Sequence, residues 1–207
     1  MISAQPSVYP LLYAAPISYY ALWLQNQGCM DGFENFQKQT FRNRCRVFGA
    51  NGVISLSIPV QLHAKKVNAK DVGISNIEAW QRNHWRTLES AYKSSPFFEF
   101  YAHLWNPLFV DTYTSLWDFN LAVHKVVLKC LQLEIDTCFT SEFLSIKEHD
   151  PRVVFSSKKS HESAIAFPEY QQVFSYHTAF ETDLSILDAI FNLGPEAEAY
   201  LMGLRVE

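Results

Sequence analysis

Apolar positions recur along the chain with two different periods, and each period predicts one kind of element. A spacing of three and four residues is clearest over 116–131, where it predicts an amphipathic helix. Thr114 or Ser115 caps this helix, and Asp118 stands three residues after Ser115, as in a capping box. The chain therefore contains a helix whose first turn is marked by its own side chains.

Other segments are predicted to be helices, either from the same spacing of apolar residues or from helix start and stop signals. Helices are predicted over 17–27, ending at Gly28; over 76–92, capped by Asn76; over 183–192, closed by Gly194; and from Pro195 to the end. An aromatic-rich element is expected over 97–105, after the break at Ser94, Ser95 and Pro96.

Alternation of apolar and polar residues predicts a β-hairpin over 42–60. Asn51 and Gly52 form its turn, because this dipeptide tolerates positive φ angles. Apolar residues of the outgoing strand fall on one face, at Ile54, Leu56, Ile58 and Val60. Shorter strands are predicted over 8–14, 135–139 and 170–176.

These elements predict an α/β fold in a single domain that spans residues 1–207. We expect a mixed sheet with a central parallel part flanked by helices, plus the hairpin around Asn51 and Gly52. The segment 145–166 is rich in Ser, Lys, His and Glu and predicts a long mobile loop.

Composition narrows the classes of partner. The net charge of −4 promises no broad attraction to nucleic acid, so any anion binding must be local. The apolar stretch 8–24 is interrupted by Pro10 and Pro16, which argues against a signal peptide and against a membrane span. We therefore expect a cytoplasmic protein.

The cysteines show neither a C-x-x-C pair nor the His spacing of a zinc site. The four positions are Cys29, Cys45, Cys130 and Cys138. The simplest interpretation is free, mostly buried thiols in a reducing compartment. No metal site and no cofactor are identified from the sequence.

A basic stretch over 38–46, which leads into the first strand of the hairpin, is the strongest candidate site. It contains Lys38, Arg42, Asn43, Arg44 and Arg46. If the segment is extended, its three arginines lie on one face, where they would hold a phosphate or a carboxylate through bidentate contacts. The alternative is a solvated strand edge, in which Glu34 pairs with one of these cations.

Two further groups are candidates for catalysis. In the first, Trp80 lies one helical turn before His84, and Glu89 lies one turn after Trp85. His84 would act as a general base with an orienting carboxylate, or join Trp80 in a stacking platform for a sugar or base. The alternative is a core histidine within an aromatic stripe.

In the second group, Asp188 and Asn192 lie four residues apart on the predicted C-terminal helix, with Glu181 and Asp183 nearby. This arrangement suggests a general base or a metal ligand. A solvated helix face or a helix cap is the alternative.

Three ordered stretches resemble the WbqC-like protein family, in its Bacteroidetes-type branch, over nearly the whole chain. They are 38–45 with 49–52 and 56–60; Trp80 with 84–86, 89–92 and 94–98; and 170–174 with 184–188 and 191–196. Tyr19 lies at the helix start that corresponds to the family's G-Y-F motif, which adds it to the candidate ligand-binding residues.

The resemblance implies a role in the biosynthesis of a surface polysaccharide of the O-antigen type. Family members occur among genes of lipopolysaccharide and O-antigen assembly, and a transferase that adds an acyl or aminoacyl group to a nucleotide-linked amino sugar is the implied activity. In that hypothesis Arg42 and Arg44 hold the diphosphate, Lys38 assists, and Trp80 and His84 supply stacking and a base.

The alternative function is non-catalytic binding or scaffolding within a glycan-assembly complex. An exposed aromatic patch would then be the interface, formed by Phe97, Phe98, Tyr101 and Trp105. The expected partners are a nucleotide-sugar or another anionic small molecule, together with a second copy of the chain or another protein of the glycan pathway.

Overall fold

The computed structural model describes residues 7–146, 150–156, 165–176 and 179–205. Its strands are β1 (Val8–Pro10), β2 (Cys29–Asp31), β3 (Arg44–Gly49), β4 (Gly52–Ser57), β5 (Val60–Gln61) and β6 (Gly73–Ile74). Its helices are α1 (Ile17–Asn26), α2 (Trp80–Tyr92), α3 (Phe98–Val110), α4 (Leu116–Cys130), α5 (Pro151–Val154), α6 (Ile186–Leu193) and α7 (Ala197–Gly203).

The strands confirm the mixed α/β class, with both parallel and antiparallel pairing. β1 pairs with β2 in parallel, while β3 with β4 and β5 with β6 are antiparallel. Within the described ranges the strands form three separate two-stranded pairs rather than one continuous sheet. The helices pack around these pairs and bury a core rich in tyrosine, phenylalanine and tryptophan.

The hairpin is confirmed, and its register positions the site. Gly49 pairs with Gly52, so Ala50 and Asn51 form a two-residue turn. Gly52 has a φ of 104°, a conformation that side-chain-bearing residues rarely adopt. The same register sets Arg44 and Arg46 opposite Ser57 and Ser55 on one face of the hairpin.

Helix α4 has the predicted cap and the predicted buried stripe. The Ser115 hydroxyl accepts a hydrogen bond from the Asp118 backbone N–H at 3.2 Å. Phe119, Val123 and Val127 are fully buried along the inner face of the helix.

No helix in the described part of the chain is both long and apolar enough to cross a membrane.

Helix α2 begins at Trp80, so its N-cap position is Ala79, three residues after the predicted cap Asn76. The Asn76 side chain instead accepts a hydrogen bond from the Trp80 indole at 3.0 Å and donates one to the Tyr113 carbonyl at 2.8 Å. Ile77 is 89% exposed, so this stretch has no apolar face to bury as a helix.

Two of the predicted strands are absent from the structure. The segment 135–139 has only an isolated parallel bridge, between Phe139 and Met30. The segment 170–176 ends in turns, because the Gln172 side chain exchanges hydrogen bonds with the Glu181 backbone at 2.9 and 3.0 Å. That amide makes the contacts that a neighbouring strand would otherwise make.

The expectation of four free cysteines was wrong. Cys29 and Cys138 form a disulfide that joins β2 to the chain after α4. Cys45 and Cys130 are free and buried. The sequence spacing gave no sign of this pair, since 109 positions separate the two residues.

The predicted mobile loop lies partly outside the described residues, which omit 147–149 and 157–164. Within the part that is described, Asp150 caps the short helix α5 through the Arg152 N–H, and Arg152 is 1% exposed. The middle of this segment is therefore anchored in the core.

Candidate functional site

A cleft with a volume of about 290 Å³ lies along one face of the β3–β4 hairpin. Its walls come from the loop before β3, from both strands, and from Ser156, which follows α5. The lining residues are Gln39, Thr40, Phe41, Arg44, Arg46, Val53, Ser55 and Ser156. The cleft combines two cations, three hydroxyls and one aromatic ring.

The loop 40–43 forms one wall, and side chains from other elements fix it. The Asn43 amide donates to the Ile58 carbonyl at 2.9 Å, while the Ile58 N–H donates to the Asn43 carbonyl at 2.8 Å. From α4, the Asn120 amide donates to the Arg42 carbonyl at 2.8 Å. The wall is therefore held in place before any ligand arrives.

Arg42 points away from the cleft and into the protein. Its guanidinium makes two hydrogen bonds to the Glu34 carboxylate, at 2.8 and 2.5 Å, and both side chains are buried. Burial raises the pKa of Glu34, and the hydrogen bond and charge of Arg42 oppose that rise. The predicted pairing of Glu34 with a cation of this stretch is confirmed for Arg42. The predicted face of three arginines is wrong, because Arg42 precedes β3.

Arg44 and Arg46 are two residues apart on β3, so both side chains lie on the cleft face. Each is half-buried, and Arg44 Nε donates to the Ser57 hydroxyl at 3.3 Å. Across the described ranges, no carboxylate forms an ion pair with either residue. The part of the cleft lining that the structure describes therefore holds two partly desolvated cations and no carboxylate.

A buried ionic cluster lies behind the cleft. Arg152 binds Asp31 through Nη1 at 2.5 Å and Asp150 through Nη2 at 2.6 Å. The Arg152 carbonyl accepts a hydrogen bond from Arg42 Nη2 at 3.3 Å, which joins this cluster to the Arg42–Glu34 pair. Two guanidiniums and three carboxylates thus connect α5, β2 and the cleft loop.

His84 and Trp80 are in the aromatic core and away from the cleft. His84 is 4% exposed, and its Nδ1 lies 2.9 Å from the Tyr13 hydroxyl. The Trp80 ring meets the imidazole edge-on at 5.2 Å. Burial lowers the pKa of His84 to about 4, and a hydrogen bond to the Ser57 backbone opposes this by less. Glu89 is half-buried on another face of α2.

Asp188 is also enclosed rather than solvated. Its Oδ2 accepts hydrogen bonds from the Tyr170 hydroxyl at 2.6 Å and from the Gln172 amide at 2.9 Å. Burial raises the pKa of Asp188 to about 6, and hydrogen bonds from Tyr170, Gln172 and Tyr92 oppose the rise. The Asn192 amide turns back to the Asp188 carbonyl at 2.8 Å.

Asp183, which was considered together with Asp188, is a helix cap. Its carboxylate accepts from the Ser18 N–H at 2.8 Å and from the Ser18 hydroxyl at 2.9 Å, at the start of α1. In the parts of the chain that are described, no three His, Cys, Asp or Glu side chains are grouped to hold a metal ion.

The remaining candidates separate into one core residue and one surface residue. Tyr19 is 1% exposed and donates its hydroxyl to the Pro10 carbonyl at 2.8 Å. Lys38 is exposed and immediately precedes Gln39 of the cleft wall.

The aromatic patch expected on α3 is mostly internal, since Phe98 is 5% and Trp105 is 1% exposed.

The structure adds residues that the sequence did not single out as ligand-binding. Phe41, Ser55 and Ser156 line the cleft beside Arg44 and Arg46, the two arginines of the basic stretch that reach it. The two-residue alternation along β3 and the register with β4 carried the signal for Arg46 and Ser55. Phe41 and Ser156 come from loops, for which periodicity gives no facing direction.

Comparison with known proteins identifies one family and a distant relative. The model of the WbqC-like protein family matches residues 29–164. Rv1507c, an uncharacterized protein of Mycobacterium tuberculosis (strain ATCC 25618 / H37Rv), is 25% identical over 199 residues, with 82% of this chain and 85% of the relative covered. No solved structure matches the chain. Because the family match extends over most of the chain, from β2 through the hairpin to α5, the chain belongs to the WbqC-like protein family.

Proposed function

We propose that this protein binds a nucleotide-linked amino sugar in the cleft beside the hairpin and takes part in the assembly of a surface polysaccharide of the O-antigen type. The observation that carries the proposal is the pair of Arg44 and Arg46, which line the cleft and form no ion pair with a carboxylate among the described residues. The family resemblance supports the polysaccharide context.

The chemistry of the lining fits a phosphorylated ligand. Arginine side chains present forked N–H groups that match phosphate oxygens, and two of them suit a diphosphate better than a single carboxylate. The hydroxyls of Thr40, Ser55 and Ser156 are suited to the polar groups of a sugar, and Phe41 and Val53 add apolar side chains to the lining.

The predicted site residues take unequal parts in this proposal. Arg44 and Arg46 hold the phosphates, and Lys38 adds positive charge from the adjoining surface. Arg42 and Asn43 shape the wall from behind. His84, Trp80, Tyr19 and Asp188 have protein partners in the core, so they are not assigned contacts with the ligand.

A second candidate function is non-catalytic binding within a glycan-assembly complex. Acyl or aminoacyl transfer to an amino sugar needs a group that removes a proton from the attacking amine. In the described residues, the cleft wall contains no imidazole, carboxylate or thiol to do so. This composition favours binding without turnover over the transferase form of the proposal.

Calorimetric titration with UDP-N-acetylglucosamine tests the proposal. Arg44→Gln and Arg46→Gln are each expected to weaken binding about tenfold or more, because each removes a charge-assisted contact to phosphate. Arg82→Gln, a matched change at an exposed arginine of α2, should leave binding unaltered. Absence of binding to the unsubstituted protein at millimolar ligand would reject the proposal.

A further inference from the structure

The disulfide between Cys29 and Cys138 joins β2 to a segment that has no regular secondary structure of its own. From Cys138 to Ile146 no regular element is present, and the large apolar side chains are outside the core. Phe139, Phe143 and Ile146 are 45%, 52% and 51% exposed. Next to the disulfide, the Met30 N–H donates to the Cys138 carbonyl at 2.8 Å and the Thr140 N–H donates to the Met30 carbonyl at 3.0 Å.

This segment, 138–146, supplies partners to the buried ionic cluster. The Thr140 hydroxyl donates to Asp31 Oδ1 at 3.1 Å. The carbonyls of Leu144 and Ser145 accept hydrogen bonds from the Arg152 guanidinium at 2.8 and 3.3 Å. Asp31 and Arg152 thus depend on the segment for three contacts, and a guanidinium at 1% exposure is costly to leave with unfilled N–H groups.

The ionic cluster in turn supports two walls of the cleft. Arg152 belongs to α5, and Ser156 lines the cleft just beyond that helix. On the other side, Arg42 bridges the cluster and the cleft. Its Nη2 donates to the Arg152 carbonyl and its Nη1 donates to the Thr40 hydroxyl, each at 3.3 Å. Thr40 lines the cleft as well. Polar contacts therefore run from the segment after the disulfide to the wall at Thr40, and helix α5 connects Arg152 to the wall at Ser156.

We propose that the Cys29–Cys138 disulfide is a redox-controlled clamp that keeps the two cleft walls in place for anion binding. The effect on ligand affinity rests on the proposed function, whereas the ordering of the walls does not. With the disulfide formed, segment 138–146 completes the cluster around Asp31 and Arg152. With it reduced, the segment detaches, and the walls at Thr40 and Ser156 lose the part of their support that passes through Arg152.

The redox step requires a thiol or dithiol as the reductant. Its thiolate attacks Sγ of Cys138, the exposed member of the pair, and the Cys29 sulfur leaves as a thiolate. A second thiol of the reductant then releases Cys138. Overall the S–S bond breaks, two protein thiols form with two electrons and two protons from the reductant, and the reductant is oxidised to its own disulfide.

The two other cysteines do not compete in this exchange. Cys45 and Cys130 are 1% and 0% exposed. Burial raises the pKa of Cys130 to about 12 and also raises that of Cys45, so both stay protonated at neutral pH. The response to a mild reductant can therefore be assigned to the disulfide.

The test compares the air-oxidised protein with the same protein after treatment with dithiothreitol. Thiol titration in denaturant should give two free cysteines before reduction and four after it. Hydrogen exchange at 40–46 and 150–156 should speed up at least tenfold on reduction, while α4 stays protected. Binding of inorganic pyrophosphate, measured by calorimetry, should weaken about fivefold or more.

The variant Cys29→Ser/Cys138→Ser provides the control. It should exchange and bind like the reduced protein and should not respond to dithiothreitol. Four free thiols in the air-oxidised protein, or exchange at both walls that is unchanged on reduction, would overturn the clamp. If the oxidised protein fails to bind pyrophosphate, the proposed function is lost, and hydrogen exchange alone decides whether the clamp exists.

Discussion

Arg42, Arg44 and Arg46 show how residues of one type, two positions apart, take different roles. Arg42 is buried and bound to the Glu34 carboxylate, whereas Arg44 and Arg46 lie at the cleft without a carboxylate partner in the described structure. Removing one member of a buried pair leaves the other charge uncompensated, while a cleft arginine can be replaced without that penalty.

The arginines should therefore separate in stability measurements. Arg42→Gln is expected to lower the free energy of unfolding by about 3–5 kcal/mol, because Glu34 stays buried without its partner. Arg44→Gln and Arg46→Gln are expected to change it by less than about 0.5 kcal/mol. Urea denaturation of the three variants makes the comparison, and equal losses in all three would contradict the assignment of Arg42 to the interior.

Buried titratable residues predict the pH dependence of stability. His84 and His124 have their pKa values lowered by burial to about 4 and about 3, so between pH 6.5 and 4 the unfolded chain binds protons that the folded chain does not. The free energy of unfolding therefore decreases as the pH is lowered across this window. Asp188 acts oppositely between pH 4 and 6, because burial raises its pKa to about 6 and the folded state holds the extra proton.

Asp188→Asn should therefore make the loss of stability on acidification steeper. The added slope between pH 6 and pH 4 approaches about 1.4 kcal/mol per pH unit, the value for one proton. His84→Gln should make the same loss shallower by a similar amount. Unfolding free energies from urea titrations at four pH values test both signs, and parallel curves for all three proteins would refute them.

At the scale of elements, the β3–β4 hairpin positions the cleft, and its turn depends on one glycine. Gly52 has a φ of 104°, so an added side chain is strained even though no atom lies within 4 Å of the Cβ position. A distorted turn would shift β4 against β3 and move Ser55 relative to Arg46.

Gly52→Ala is expected to destabilise the fold by more than about 1 kcal/mol and to weaken ligand binding. Gly203→Ala is the matched control. Its Cβ position is also open, its φ lies outside the left-handed region, and alanine favours the end of α7. Thermal unfolding of the two variants tests this, and equal midpoints would show that the turn does not require glycine.

Elements that are determined by neighbouring residues in the sequence could be predicted, whereas elements that depend on distant partners could not. The cap of α4 and the hairpin are encoded within a few residues, and both were predicted correctly, although the turn residues are Ala50 and Asn51 rather than Asn51 and Gly52. Within the described residues, the segment expected as a strand over 135–139 pairs with β2 at a single bridge, and the one over 170–176 pairs with no strand. Alternation alone cannot reveal a missing neighbour.

The same distinction applies to the site. The concentration of cations before the hairpin was visible in the sequence, but the inward turn of Arg42 depends on Glu34, and that contact is tertiary. Likewise, the core positions of His84 and Asp188 depend on tyrosines from other parts of the chain, Tyr13 and Tyr170. Residue type predicted these polar side chains as candidates, and packing decided which of them face a cleft.

At the scale of the whole molecule, a mildly acidic protein presents a local cationic cleft supported from behind by a buried ionic cluster. The net charge of −4 makes binding depend on the local groups rather than on a broad attractive field. Arg44 and Arg46 are therefore the groups proposed to meet the anion.

The most direct measurement follows the guanidinium Nε–Hε resonances of the arginines by NMR during titration with UDP-N-acetylglucosamine. The resonances of Arg44 and Arg46 are expected to shift together with one saturation curve, while that of Arg42 stays fixed by its contact with Glu34. Saturable binding that leaves Arg44 and Arg46 unshifted, or that shifts Arg42 instead, would contradict the account.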